Sequence, residues 1–122
     1  YNDFKKIKVV GRNEFERIKL LKLALSAEKA GAKAILLECV VESLSKEITS
    51  ALSIPTIGIG SSKFCDGQVL VFDDIVGINN TKNLPKFVKK FMHLEQQMKK
   101  AIGKFSKEVK LGKFPSKKFT YQ

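Results

Sequence analysis

"GAKAILLECVVESL" spans Gly31–Leu44, and its reading decides the fold. Four apolar residues, Ala34–Leu37, run without alternation into a carboxylate, Glu38, before apolar residues resume. A half-exposed strand alternates polar and apolar side chains. A short uninterrupted apolar run is what a strand covered on both faces requires, and parallel sheets bury strands that way. The run therefore predicts a buried strand over 34–38 that ends on an acid. Upstream, Asn13 and Glu16 have capping-box spacing. Phe15, Ile18, Leu21, Ala24, Leu25 and Ala27 recur at helical intervals through 14–30 and predict one apolar face, with Gly31 as a left-handed stop. Downstream, Val41, Leu44, Ile48 and Leu52 mark an amphipathic helix over 41–52, closed by Pro55. "TIGIG", Thr56–Gly60, predicts a second buried strand, with glycines where the backbone must approach another group closely. Helix, strand, helix and strand alternate at about 22 residues, which argues for βα units on a parallel sheet.

The rest of the chain extends this pattern less cleanly. Lys8–Val10 could be a strand end, closed by a turn at Gly11–Arg12. "GQVLVFDD", Gly67–Asp74, predicts a third strand ending in two carboxylates. Only eight residues separate Gly60 from Val69, whereas a parallel crossover usually takes roughly a dozen. Either the link is a compact loop or the two strands are not neighbours. "GINNTKNLP" reads as a loop. From Pro85, the spacing of Phe87, Phe91, Leu94, Met98, Ile102, Phe105 and Val109 predicts a long helical region with a break at Gly103. The lone histidine, His93, is placed on that helix's surface. The ending "LGKFPSKKFTYQ" is polar and basic, as in a partly disordered tail. The organisation is one domain, residues 1–84 carrying the βα units and 85–122 the helices and basic tail.

Bulk composition narrows the function. Hydrophobic residues make up 43% and charged residues 29% of 122 residues, which suits one globular domain. No apolar run approaches the roughly 20 residues of a membrane span. The chain opens on Tyr1, without a secretory leader, and a cytoplasmic protein is expected. Cys39 and Cys65 lie in apolar surroundings outside any CxxC pair, as reduced thiols do. The net charge of +11 is unevenly spread: residues 1–84 carry twelve basic and ten acidic side chains, residues 85–122 eleven and two. A basic tail with interleaved Phe87, Phe91, Phe105, Phe114 and Phe119 could bind nucleic acid. Helical spacing instead assigns the aromatics to an inner face and the lysines to a wet one. No P-loop, GxSxG or HExxH pattern occurs.

A carboxylate at a strand's carboxyl end is where parallel α/β folds build active sites. Partly desolvated there, Glu38 would serve as a base. The same position also suits a rim ion pair with a lysine. Asp73 and Asp74 stand at a strand end too, where a loop-capping pair is the favoured reading over a catalytic one.

"GAKAILLECV", "LSIPTIGIGSSKFCDGQVLVFDDIVGI" and "PKFVKKFM", with "KVVGR" before and "EVKLGKFPSKKFTY" after, closely resemble the C-terminal half of the ketopantoate hydroxymethyltransferase family. The resemblance implies the last part of a (βα)8 barrel, about strands six to eight, followed by helices. It implies transfer of a hydroxymethyl group from 5,10-methylenetetrahydrofolate to 3-methyl-2-oxobutanoate, giving 2-dehydropantoate for pantothenate and coenzyme A. The family's proton acceptor falls on Glu38. Its magnesium ligands and main substrate contacts belong to the N-terminal half, so no metal ligand is expected in this chain. Gly58 and Gly60 are candidate substrate contacts. The likeness also implies homo-oligomers, and a chain that is inactive alone or has only an interaction role. Val41 departs from a usual proline, Ser61–Ser62 from Ala-Gly, and Asp73 from histidine. Ser62 in place of glycine could crowd a ligand.

Overall fold

The computed structural model describes residues 8–79 and 83–121. Its elements are α1 (Glu14–Lys29), β1 (Ile35–Glu38), α2 (Glu42–Ala51), β2 (Thr56–Ile59), β3 (Gly67–Gln68), α3 (Phe72–Val76) and α4 (Leu94–Lys110), then a 3-10 turn, Lys117–Phe119. The opening Tyr1–Ile7 and the loop residues Asn80–Lys82 lie outside the described residues. Two compact units emerge: one runs to Leu70 and includes Asn83–Val88, and the other comprises 71–82 and 89–122.

In the first unit the strands form a parallel sheet in the order β1-β2-β3, with Leu37 opposite Gly58 and Glu38 opposite Ile59. Val10 adds a parallel bridge to Val40, which places the expected strand end at Lys8–Val10 beside β1. The link from β2 to β3 is a compact loop, and the strands are neighbours. The loop needs no long crossover because β3 begins level with Ile57, only two residues back from the end of β2. Asp66 secures it: its carboxylate accepts from the Thr56 amide (2.8 Å) and hydroxyl (3.1 Å). These bonds favour the charged form and hold the Asp66 carboxyl below its ordinary range.

The core lies between the sheet and its helices: Leu44 and Ile48 of α2 are fully covered, with Leu37, Val40, Ala24 and Cys65 around them. Each fully buried aliphatic side chain contributes roughly 1.5–3 kcal/mol. Arg17 of α1 ties to α2 through the Glu47 carboxylate (2.6 Å) and the Ser43 hydroxyl (3.0 Å). The start of α1 follows the capping expectation with one change. Asn13 Oδ1 accepts from the Glu16 amide, while the Glu16 carboxylate reaches back to the Gly11 and Arg12 amides. Gly31, at φ +98°, supplies the left-handed stop.

Several expectations are corrected. The strand over 34–38 is covered on one face only: Leu37 is 5% exposed and Leu36 59%. The helices pack on the face of Ile35 and Leu37, leaving the face of Leu36 and Glu38 open. On α1 the buried stripe centres on Ala24, with Leu20 and Leu21 beside it, while Phe15, Ile18 and Leu25 are exposed. That helix is apolar on more than one side, and only one side meets α2 and the sheet. The third strand stops at Gln68, and Asp73 and Asp74 fall in the first turn of α3, where carboxylates suit the helix dipole.

The second unit differs from expectation too. Helix begins at Leu94 and continues through Gly103, so Phe87 and Phe91 precede it and His93 is its capping residue. The Phe91 and Met92 amides donate to the Ile75 carbonyl, a pairing a helix would not allow. No residue of α4 is buried, and Met98, Ile102, Phe105 and Val109 stay exposed, so the inner-face assignment of its aromatics is not met within these residues. The basic ending is ordered around the Phe105, Phe114 and Phe119 rings, 5.5 and 5.8 Å apart in sequence. No described helix is long and apolar enough to cross a membrane.

Candidate functional site

The carboxyl end of β1 is built from an unusual backbone. Cys39, directly after Glu38, has φ +53°, left-handed for a residue with a side chain. Neighbouring chain holds it there. The Cys39 amide donates to the Ile59 carbonyl and its carbonyl accepts from the Val10 amide, both at 3.0 Å. The Val41 amide closes the bridge on the Val10 carbonyl, also at 3.0 Å. A proline at 41 would share the observed φ of −57° but lack this donor. Valine here thus makes a hydrogen bond that proline could not.

Alternation along β1 places Glu38 with Leu36 on the helix-free face, and its side chain is exposed. Among the described residues no cation lies within ion-pair distance of it, so the rim pairing with lysine is not made. Cys39 turns the other way and is 3% exposed. Burial first, and then the charge of Glu38, pushes its thiol above the ordinary range. Both cysteines are free thiols.

Beside this turn lies a cleft of about 760 Å³, lined among others by Cys39, Gly60, Ser61, Lys63, Lys86 and Phe87. Gly60 is at φ +62°, and a Cβ there would collide with the Phe87 ring, so both backbone and packing require glycine. Gly58 is different: it does not line the cleft, and a Cβ there would press on Gln68 and on Cys65 Sγ. Of the two glycines, only Gly60 lines the cleft. Ser62 is 4% exposed, and its hydroxyl accepts from the Phe64 amide (3.1 Å) within its own loop. Asp73 and Asp74 sit in the second unit. The Asp74 carboxylate accepts from the Asn79 amide group (3.0 Å) and the Asp73 carbonyl from the Ile78 amide, as in a loop-capping pair.

Sequence reasoning missed Ser61. Its hydroxyl donates to the Leu37 carbonyl (2.7 Å) and accepts from the Val40 amide (3.2 Å). The only signal in the sequence was the expectation, from the resemblance, of Ala-Gly where Ser61–Ser62 stand. Among the described residues no three His, Cys, Asp or Glu side chains converge as a metal site would need.

A parallel sheet with helices on one face, an acid at a strand's carboxyl end and a cleft beside it define an α/β unit of the enzyme type. Comparison with known proteins makes the assignment particular. The chain belongs to the ketopantoate hydroxymethyltransferase family, whose model matches residues 1–117. It is 48% identical over 120 residues to a 3-methyl-2-oxobutanoate hydroxymethyltransferase of Thermotoga maritima, covering 98% of this chain and 44% of that protein. The enzyme of the same name from Thermosipho africanus is 50% identical over 121 residues, with 99% and 45% covered. That of Clostridium beijerinckii is 45% identical over 121 residues, with 99% and 44% covered. The chain thus spans less than half the length of these relatives.

Proposed function

We propose that this chain carries the proton acceptor of a 3-methyl-2-oxobutanoate hydroxymethyltransferase, and that the acceptor is Glu38. The observation that carries the reading is its placement. The carboxylate stands at the carboxyl end of a parallel strand, on the face that no described helix covers, and no described cation lies within ion-pair distance of it. In this reading the sheet is one arc of a (βα)8 barrel and that open face is the lumen. The rest of the barrel would cover Leu36, dry the mouth and make Glu38 a stronger base. Glu38 removes the proton from C3 of the keto acid, and the resulting carbanion bonds to the methylene carbon of methylenetetrahydrofolate; water then supplies the hydroxyl oxygen as that carbon's bond to nitrogen breaks and tetrahydrofolate leaves. Magnesium would be held by residues outside this stretch, and the proposal concerns the carboxylate alone.

The test is a chimera in which this chain replaces the matching 120 residues of the Thermotoga maritima relative. With 3-methyl-2-oxobutanoate in heavy water, deuterium entry at C3 is followed by NMR. Glu38→Gln is expected to slow it at least about a hundredfold, the usual size of a general-base effect. Equal exchange rates in parent and variant would remove Glu38 from the reaction.

A further inference from the structure

Ser61 stands between two backbone groups three residues apart. The Leu37 carbonyl and the Val40 amide are the pair that a tight turn would join directly. Here the Ser61 hydroxyl takes the place of that bond, donating to one (2.7 Å) and accepting from the other (3.2 Å). Enclosed between them are Glu38 and the left-handed Cys39. A left-handed residue with a side chain persists only where its surroundings hold it. The Cys39 amide and carbonyl are already bonded to Ile59 and Val10, and the hydroxyl fixes the residues on either side. We infer that Ser61 is a positioning residue, whose hydroxyl bridges Leu37 and Val40 and thereby sets the direction in which Glu38 leaves β1.

The function of this bridge rests on the reading of Glu38 given above, while its geometry does not. The hydroxyl adds one bridge to a turn that the Ile59 and Val10 bonds already hold. A several-fold effect is therefore expected, not abolition.

The chain itself provides the first measurements. In Ser61→Ala, exchange of the Val40 amide should accelerate about fivefold, as loss of one ordinary hydrogen bond would produce. The Cys39 thiol reports on the carboxylate, because Glu38 raises its titration. Followed through the Cys39 13Cβ shift, Glu38→Gln should lower the thiol midpoint in the Ser61 parent and lower it less in the Ser61→Ala background. Ser61→Thr, which keeps a hydroxyl, should restore both values. In the chimera, Ser61→Ala should reduce kcat for C3 exchange several-fold with KM unchanged, again restored by threonine. An unaltered Val40 amide, an unaltered Glu38–Cys39 coupling, or equal behaviour of alanine and threonine would overturn the assignment. If Glu38→Gln leaves C3 exchange intact while the bridge measurements behave as described, the proposed reaction fails and the bridge does not.

Discussion

The two faces of one short sheet have opposite fates. On one, Leu37 meets Leu44 and Ile48 and is 5% exposed; on the other, its neighbour Leu36 is 59% exposed and shares its side with Glu38. The strand sequence alone does not distinguish them, since both residues are leucine. The difference comes from the helices, which pack on a single side. In these residues the covered face holds the unit together, and the open face carries the chemistry we propose.

The contrast can be broken most severely from the covered side. Leu44→Ala removes a fully buried side chain and should cost about 2–5 kcal/mol in urea unfolding, depending on how far the site collapses. A loss under about 1 kcal/mol would mean the core is not where we place it. A smaller effect is expected at Asp66, whose carboxylate secures the fully buried Thr56. Its carboxyl is depressed in the folded chain. Its contribution is therefore present above the ordinary aspartate value of about 4 and lost as pH falls through the lower folded value. Stability measured by urea titration from pH 6 to pH 2 should fall less steeply in Asp66→Asn than in the parent. Parallel curves would separate Asp66 from the acid response. The smallest effect belongs to the open face: Leu36→Ser should change stability by no more than about 0.5 kcal/mol, as at other exposed sites. A loss like that of Leu44→Ala would show that something covers this face in solution.

How much of this was legible in the sequence follows from what kind of contact decided each element. The uninterrupted apolar run before Glu38, and "TIGIG" between Pro55 and Gly60, marked both principal strands to within a residue, because each is too short for a helix and is bounded by turn residues. Leu44 and Ile48 were readable from helical spacing alone. The covering of β1 was not, since the pattern records apolarity and not the number of neighbours that will arrive. Val69 and Val71 looked like strand, yet the chain turns at Val71 into α3, where Asp73 and Asp74 meet the amide end of the helix. Phe87 and Phe91 had helical spacing with Leu94, but their backbone is claimed elsewhere: Phe91 bonds to Ile75, and Phe87 lies against Gly60. At the candidate site, the acid was picked out by its place at a strand's carboxyl end and by the family resemblance of "GAKAILLECV". The Ser61 bridge was illegible because its partners lie 21 and 24 residues away in sequence.

The seven-residue link from Ile59 to Gly67 has a kinetic consequence. Closing a short loop sacrifices little chain entropy, and neighbouring segments find each other sooner than distant ones. Parallel strands are ordinarily slow partners because a whole helix must form between them. Here β2 and β3 avoid that wait, and their pairing carries a smaller loop-closure cost than a crossover through a helix would.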